Sequence, residues 1–243
     1  MNAYDPNLDP DAGSMPSLGR LEVAERTFIT RVFGWMGGGL LLTALVAWYF
    51  GSPERYFSIF GESRALPIVL LLVQVGLVFA ISAAVRRMSE TWAASLFVLY
   101  SALTGLTLSV IFLIYTTGSI VSTFVASGGT FAVAAIYGSV TKKDLTGFGS
   151  LMRMGLIGIL IASVVNLFLH SNGLSWAISF IGVFVFIGLT AFDMQKLKEW
   201  HRSGIEGSGA DRALAVGGAL TLYLDFINLF LMMLRFMGST RRD

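Results

Sequence analysis

The chain has 243 residues, of which 55% are hydrophobic and only 13% are charged, and its mean hydropathy is +0.73. A soluble domain carries about a quarter of charged residues, so this composition predicts an integral membrane protein. The absence of cysteine excludes disulfides, thiolate metal sites and a cysteine nucleophile. The net charge of +2 comes from basic residues between the apolar stretches, a pattern that encodes membrane topology and not nucleic-acid binding.

The first 27 residues are polar and contain three prolines and five acids, but they lack the basic start of a signal peptide. We therefore expect residues 1–27 to form a disordered tail. The end of this tail fits a short interfacial helix, because Leu21, Ala24 and Phe28 fall on one side of a helix. A helical extension of the first membrane span is the alternative.

Seven apolar stretches follow the tail, and each reaches the roughly 20 residues that a helix needs to cross a bilayer. They are continuously apolar instead of alternating, which favours helices over a β-barrel. The sequence thus predicts an all-α polytopic protein with a seven-helix transmembrane domain over residues 28–236 and a short C-terminal tail over 237–243. The stretches are Phe28–Phe50, Leu66–Val85, Trp92–Tyr115, Ser119–Val140, Leu151–Leu169, Leu174–Phe192 and Ala213–Leu234.

The last stretch carries an acid, Asp225, near its middle. A re-entrant segment is therefore the alternative to a seventh crossing.

Basic residues near the ends of the stretches predict the orientation, since cytoplasmic loops carry an excess of Lys and Arg. With the N-terminus inside, 12 of the 17 Lys and Arg residues lie on the inner side. Small residues four apart, such as Gly34 with Gly38 and Ser101 with Gly105, predict close helix packing.

Charges inside a bilayer are costly and usually functional. Asp225 lies about twelve residues into the last stretch, roughly 18 Å of helix rise, and Asp193 closes the sixth stretch at its predicted inner end. On helical spacing Thr221 and Asn228 share a face with Asp225, and Thr190 shares a face with Asp193. Because consecutive antiparallel helices are neighbours, we expect these polar faces to meet.

A close pair of carboxylates cannot hold two bare charges in a bundle. It requires a shared proton, a bound cation or an arginine, so the pair predicts a site linked to protons and cations. Oxygen ligands suit hard cations such as Ca²⁺, although two carboxylates are too few for a tight site. Arg86 and Arg87 end the second span on the same predicted side and are candidate partners of Asp193. The alternative is that both arginines only anchor the topology.

The segment Ala219–Phe236, ALTLYLDFINLFLMMLRF, resembles the last-helix signature of the Bax inhibitor-1 family, also called the transmembrane Bax-inhibitor-motif family. The resemblance extends to the basic pair after the second span and to Lys142 and Lys143 followed by Asp144. It also includes the aspartate that ends the sixth span, within TAFDMQ at residues 190–195. It covers the chain from about residue 28 onward.

This resemblance implies a bacterial-type member with seven helices, one of which is central and surrounded by the others, in the cytoplasmic (inner) membrane. It also implies a pH-sensitive calcium leak governed by a di-aspartyl sensor. Carried over, the sensor is Asp193 with Asp225, and the latching arginine is Arg87, with Arg86 one position away. The implied partners are the lipid bilayer, Ca²⁺ and protons, with no cofactor besides Ca²⁺ as the permeant or bound ion. Some relatives have an acid in the second span, where this chain has Gln74.

Two other classes of function stay open at this point. A membrane scaffold that binds other membrane proteins would leave little trace in one sequence and would give the aspartates a structural role. An intramembrane aspartyl protease also places two aspartates on its sixth and seventh helices. Against the protease, Tyr223 and Leu224 precede Asp225 where that class has a Gly-x-Gly run, and no Pro-Ala-Leu follows the last span. We therefore expect a protein without enzymatic activity.

Overall fold

A computed structural model describes residues 18–61, 63, 65–85, 87–202 and 209–241. Within these ranges the backbone is helical apart from short connections, and no strand is formed. The helices are α1 (Leu18–Phe50), α2 (Pro53–Phe60), α3 (Leu66–Ala84), α4 (Glu90–Leu108), α5 (Ile111–Ile114), α6 (Thr117–Val140), α7 (Thr146–Leu169), α8 (Asn172–Arg202) and α9 (Gly209–Met237).

Seven segments of the described chain are long and apolar enough to cross a membrane: α1, α3, α4 together with α5, α6, α7, α8 and α9. The predicted all-α polytopic membrane fold is confirmed. The connections lie at two ends of the bundle. We call the end with residues 85, 87–89 and 141–145 the basic face, and the end with residues 51–61, 63, 65, 170–171 and 238–241 the opposite face.

The last helix, α9, runs through the whole bundle. At the basic face, Arg212 near its start pairs with Glu90 at the start of α4, with 3.4 Å between Nη1 and Oε2. Beyond its other end, Thr240 forms a backbone bridge with Tyr115, which directly follows α5. These contacts place the two ends of α9 at opposite faces. The last segment is thus a full crossing, and the re-entrant alternative is wrong.

The core of the bundle surrounds α9, which packs against α1, α3, α4, α6 and α8. Of its most apolar window, 72% is buried inside the protein, compared with 6% for α7. Its side chains Leu222, Tyr223 and Leu229 are fully buried. The phenol of Tyr223 lies 2.6 Å from the Thr43 hydroxyl of α1, which itself donates to the Ser101 carbonyl of α4. The central helix implied by the family resemblance is α9.

Several helices extend beyond the apolar stretches. The first helix begins at Leu18 and continues unbroken into the first span, which was the alternative to a separate interfacial helix, and residues 1–17 lie outside the described ranges. The helix of the sixth span, α8, continues to Arg202, ten residues past the predicted end at Phe192. Here the fully buried Leu197 and a Lys196–Glu199 ion pair of 2.7 Å support the extra turns.

Two further features differ from the predicted spans. The third span breaks at residues 109–110, where the Ser109 hydroxyl donates to the Leu106 carbonyl at 2.6 Å. A short helix, α2, fills the connection between the first two spans, and Pro53 begins it because proline is tolerated where the helix has no N–H bond to make.

The small residues predicted to pack closely do so in α4 but not in α1. A Cβ on Gly105 would lie 2.6 Å from the Thr43 carbonyl oxygen, so this glycine does let α4 approach α1. Gly34 and Gly38 have no heavy atom within 4 Å of such a Cβ. The prediction that these two glycines pack against another helix of the chain is wrong, and it is their neighbour Gly39 that contacts Phe97.

Candidate functional site

Helices α8 and α9 lie side by side and carry the two membrane-embedded aspartates. Glycines on each helix receive large side chains from the other: Gly182 of α8 faces Met232, and Gly218 of α9 faces Leu197. These contacts lie on either side of the aspartates along both helices. Because a glycine has no Cβ, it allows the backbones to approach closely, and the antiparallel contact sets the register of the two helices.

The structure brings Asp193 and Asp225 together. Their carboxyl groups lie within hydrogen-bonding distance of each other. Asp225 is only 5% exposed, whereas Asp193 is half-buried. Two ionised carboxylates are both acceptors only, so a hydrogen bond between them requires one of them to carry a proton.

One oxygen of the pair stands out. Among the buried side-chain nitrogen and oxygen atoms of the described residues, only Asp225 Oδ2 has no hydrogen-bond partner. An unpaired polar atom in a bundle costs about 1–3 kcal/mol. Such an atom therefore marks a place where a proton, a water molecule or a cation would be stabilised.

The other polar residues predicted on these faces donate hydrogen bonds within their own helices. Thr190 donates to the Phe186 carbonyl at 2.7 Å, and Thr221 donates to the Gly217 carbonyl at 3.2 Å. Asn228 donates to the Leu224 carbonyl at 2.8 Å. Each residue thus satisfies its hydrogen bond one turn back along its own helix, and its supporting role in the site stays a prediction.

Among the described residues, a cation of α7 acts on Asp193. The Arg153 charge interacts with Asp193, and the Arg153 guanidinium lies over the ring of the preceding residue, Phe192, with 4.5 Å from Cζ to the ring centroid. A cation held against an aromatic face gains about 0.5–1 kcal/mol at an exposed site. In the sequence, Arg153 is one of the basic residues that predict the membrane orientation. Its position inside the fifth span, seven residues past the start of α7 at Thr146, is the signal that could have identified it.

The predicted arginine latch is not formed by the described residues. Arg87 is exposed in the connection between α3 and α4, and no contact with Asp193 is found for it. Arg86 lies outside the described residues. The proposed latch role of these two arginines therefore stays a prediction.

The connection between α6 and α7 is tied to α8 two residues beyond Asp193. The Gln195 amide accepts a hydrogen bond from the Leu145 N–H and donates one to the Lys143 carbonyl, both at 2.8 Å. Leu145 also packs with Ala191 and Phe192. This clamp connects a loop at the basic face directly to the helix that carries Asp193.

Gln74, at the place where some relatives carry an acid, is buried and has a structural partner. Its amide donates to the Thr107 hydroxyl at 2.6 Å and to the Leu103 carbonyl at 3.3 Å. It links α3 to α4, which is the interhelical role that polar residues take in membrane bundles.

Comparison with known proteins identifies the family. The family model described as "Inhibitor of apoptosis-promoting Bax1" matches residues 25–242. This chain belongs to the Bax inhibitor-1 family. The match contains the first span from residue 25 onward, the other six spans in full, both aspartates and Arg153, and it confirms the resemblance found in the sequence.

Individual relatives of this family member match almost over their full length. The inner membrane protein YbhL of Escherichia coli K12 is 49% identical over 217 residues, which are 89% of this chain and 93% of that protein. An uncharacterized protein of Borreliella burgdorferi is 46% identical, with 89% of this chain and 93% of that protein covered. One of Deinococcus radiodurans is 44% identical over 89% of this chain and 91% of its own length.

Proposed function

We propose that this Bax inhibitor-1 family protein is a pH-sensitive, Ca²⁺-permeable leak channel, in which Asp193 and Asp225 form the sensor for protons and Ca²⁺. The single observation that carries this proposal is the meeting of two carboxyl groups inside the bundle, within hydrogen-bonding distance and with one oxygen lacking a partner. A buried carboxyl pair of this kind is costly for folding, and costly groups in a membrane are usually retained for function.

The pair has two chemically distinct states. With one proton shared, the carboxyl groups hydrogen-bond to each other and hold α8 against α9. When that proton leaves, two negative charges face each other in a poorly solvated site. They must then recruit a cation or separate. States that differ in helix spacing are what a gate requires.

The number of ligands favours passage of Ca²⁺ over tight binding. Protein Ca²⁺ sites have about six to eight oxygen ligands. In the described part of the chain, no three or more His, Cys, Asp or Glu side chains lie close enough together to hold a metal ion. A pair of carboxylates with backbone or water oxygens would bind Ca²⁺ weakly. Weak binding suits a permeant ion, because the ion must also leave the site.

Location and orientation are part of this proposal. The relative YbhL is named an inner membrane protein, which supports the cytoplasmic membrane of a bacterium as the location. The excess of Lys and Arg at the basic face supports an N-terminus inside. The aspartate pair then lies on helices that begin or end at the cytoplasmic side, where the proton concentration would act on it.

A scaffold that binds partner membrane proteins is the second candidate, because the family description names inhibition of another protein, Bax1. In that case the aspartate pair only stabilises the α8–α9 contact. A proteolytic function is not proposed, since the residues around Asp225 lack the Gly-x-Gly run of the intramembrane aspartyl proteases.

Flux measurements on purified protein distinguish these functions. Liposomes that contain the protein and an internal Ca²⁺ indicator are diluted into Ca²⁺ at external pH values from about 5 to 8, the range into which a buried carboxyl can titrate. We expect Ca²⁺ entry above that of empty liposomes, with a rate that depends on pH. A rate equal to that of empty liposomes at every pH would refute the channel and favour the scaffold.

A further inference from the structure

A cavity of about 1020 Å³ separates α1 from α6. Phe33 of α1 and Phe131 of α6 line it, as do Met194 of α8 and Phe226 of α9. Along α1 the lining extends from Glu25 to Leu40, which is about 22 Å of helix rise. This length exceeds the hydrocarbon thickness of one leaflet, about 15 Å.

The cavity opens sideways, toward the lipid. Phe33 and Gly37 on the α1 wall and Ile136 and Val140 on the α6 wall all line it and are also exposed on the outside of the bundle. An acyl chain can therefore enter from the bilayer without passing through the protein.

One end of the cavity is charged. Lys198 of α8 forms an ion pair with Glu25 of α1, with 2.9 Å between Nζ and Oε1, and donates to the Ser139 carbonyl of α6 at 2.8 Å. Arg26 also lines this end and is exposed. Among the described residues that line this end, two cations and one acid leave a net positive charge. A lysine has three N–H donors, so Lys198 keeps one donor beyond these two bonds.

The charged end lies at the level of the membrane surface. Glu25 and Arg26 are within the first turn of the span that begins at Val23, and Lys198 is two residues from the end of the span that closes at Trp200. Lipid phosphates lie at this depth. The remainder of the cavity toward Leu40 is mainly apolar, and this order of charged and apolar surface matches that of a phospholipid.

We propose that this cavity binds one anionic phospholipid, with an acyl chain between α1 and α6 and the phosphate at Arg26 and Lys198. The net positive charge opposes entry of Ca²⁺ by this route and favours an anionic headgroup over a zwitterionic one. Basic residues at a membrane surface attract anionic lipid headgroups.

Photo-crosslinking tests the proposal on the full chain in phosphatidylcholine vesicles. The probe is phosphatidylglycerol with a diazirine on its acyl chain, and the comparison probe is phosphatidylcholine with the same label. We expect the anionic probe to label peptides of α1 and α6 several-fold more than the zwitterionic probe. Equal labelling by the two probes would overturn the assignment of an anionic lipid.

Two neighbouring glycines provide a matched pair of variants. Gly37 lines the cavity, Gly38 does not, and neither has a heavy atom within 4 Å of an added Cβ. Gly37→Leu should fill the cavity and reduce labelling of α6 several-fold, whereas Gly38→Leu should label like the wild type. Equal labelling in the two variants would show that the lipid is not in the cavity. Both variants are compared only as monodisperse protein.

The charged end has its own variant. Arg26→Gln should remove most of the several-fold preference for phosphatidylglycerol while labelling by the phosphatidylcholine probe persists. An unchanged preference would refute the phosphate contact. Labelling measures binding and not flux, so its outcome is independent of the proposed channel activity.

Discussion

Gly138 of α6 lies directly against Ala191 of α8, so that a Cβ on Gly138 would overlap the Ala191 carbonyl oxygen. Ala191 is two residues from Asp193, and Gly138 is next to Ser139, whose carbonyl accepts the hydrogen bond of Lys198. The contact fixes the distance between α6 and α8 at the level of the aspartate pair. A backbone atom cannot move aside as a side-chain end can, so this position tolerates glycine alone.

Gly138→Ala should therefore destabilise the protein. Overpacking a well-packed site costs about 1–3 kcal/mol, and here the whole of α6 must shift. We expect a lower midpoint of thermal unfolding in detergent, which is measured by size-exclusion chromatography after heating. Gly128→Ala, in the same helix but with no heavy atom within 4 Å of the new Cβ, should leave the midpoint almost unchanged. Equal midpoints for the two variants would contradict the packing argument.

Asp144, which lies outside the membrane spans, should make the stability of the protein depend on pH. Its carboxylate accepts hydrogen bonds from the Thr146 side chain and from the Thr146 N–H, the latter at 2.8 Å, and these bonds lower the pKa of Asp144 below its ordinary value. A lowered pKa stabilises the fold at pH values above the ordinary pKa, and the contribution is lost as the pH falls through the folded-state pKa.

Asp144→Asn keeps the shape and an acceptor oxygen but removes this titration. We expect a slightly lower unfolding midpoint than in the wild type at neutral pH, and a difference that shrinks as the pH falls below the ordinary pKa of an aspartate. Unfolding scans across this pH range measure it. A difference that stays constant with pH would assign the effect to hydrogen-bond geometry and not to charge.

Arg153 and Arg87 can be separated by their effects on the pH profile of Ca²⁺ flux. Arg153→Gln removes a positive charge that acts on Asp193, which makes protonation of the pair easier. The flux profile should shift toward higher pH by up to about one unit, since screening limits the effect of an exposed charge. Arg153→Lys should retain most of the wild-type profile.

Arg87→Ala tests the latch that the family resemblance implies. A shifted profile with matched protein amounts would assign Arg87 a role in gating, even though the described contacts do not connect it to Asp193. If only the amount of inserted protein changes, Arg87 is a topology anchor and the latch hypothesis fails.

The sequence is sufficient to predict the spans and the meeting of the two acids, because hydropathy marks the lipid phase and helical spacing marks the polar faces. It does not predict the helix ends. The extra turns of α8 beyond its apolar stretch contain an ion pair and a buried leucine, and a mean hydropathy over such mixed residues does not indicate a helix. For a similar reason, the sequence does not predict that Arg153 acts on Asp193. A basic residue near a span end has the same sequence signal whether it anchors topology or contacts an acid.

Glycine spacing shows the same ambiguity in α1. Gly34 and Gly38 have the four-residue spacing of packed helices, yet both are open, while Gly39 makes the close contact with α4. The spacing describes one helix, and the position of its neighbours decides which side is covered. The cavity between α1 and α6 is accordingly a property of the assembled bundle that no single segment encodes.

The last prediction concerns the aspartate pair itself. Two carboxyl groups that share a site titrate in two coupled steps, and the hydrogen bond between Asp193 and Asp225 needs at least one proton on the pair. Asp193→Asn and Asp225→Asn keep the shape and leave a single titrating group each. The Ca²⁺ flux of either variant should therefore lose most of its response between about pH 5 and 8.

Liposome flux with matched protein amounts measures this response, and Asp144→Asn serves as the control. It makes the same chemical change at an exposed acid outside the spans, so its flux profile should follow the wild type. Because the Asn variants can still hydrogen-bond across α8 and α9, a loss of pH response without a loss of folded protein assigns the effect to titration. Wild-type pH profiles in both Asn variants would place the pH sensor elsewhere and leave the pair a structural contact between α8 and α9.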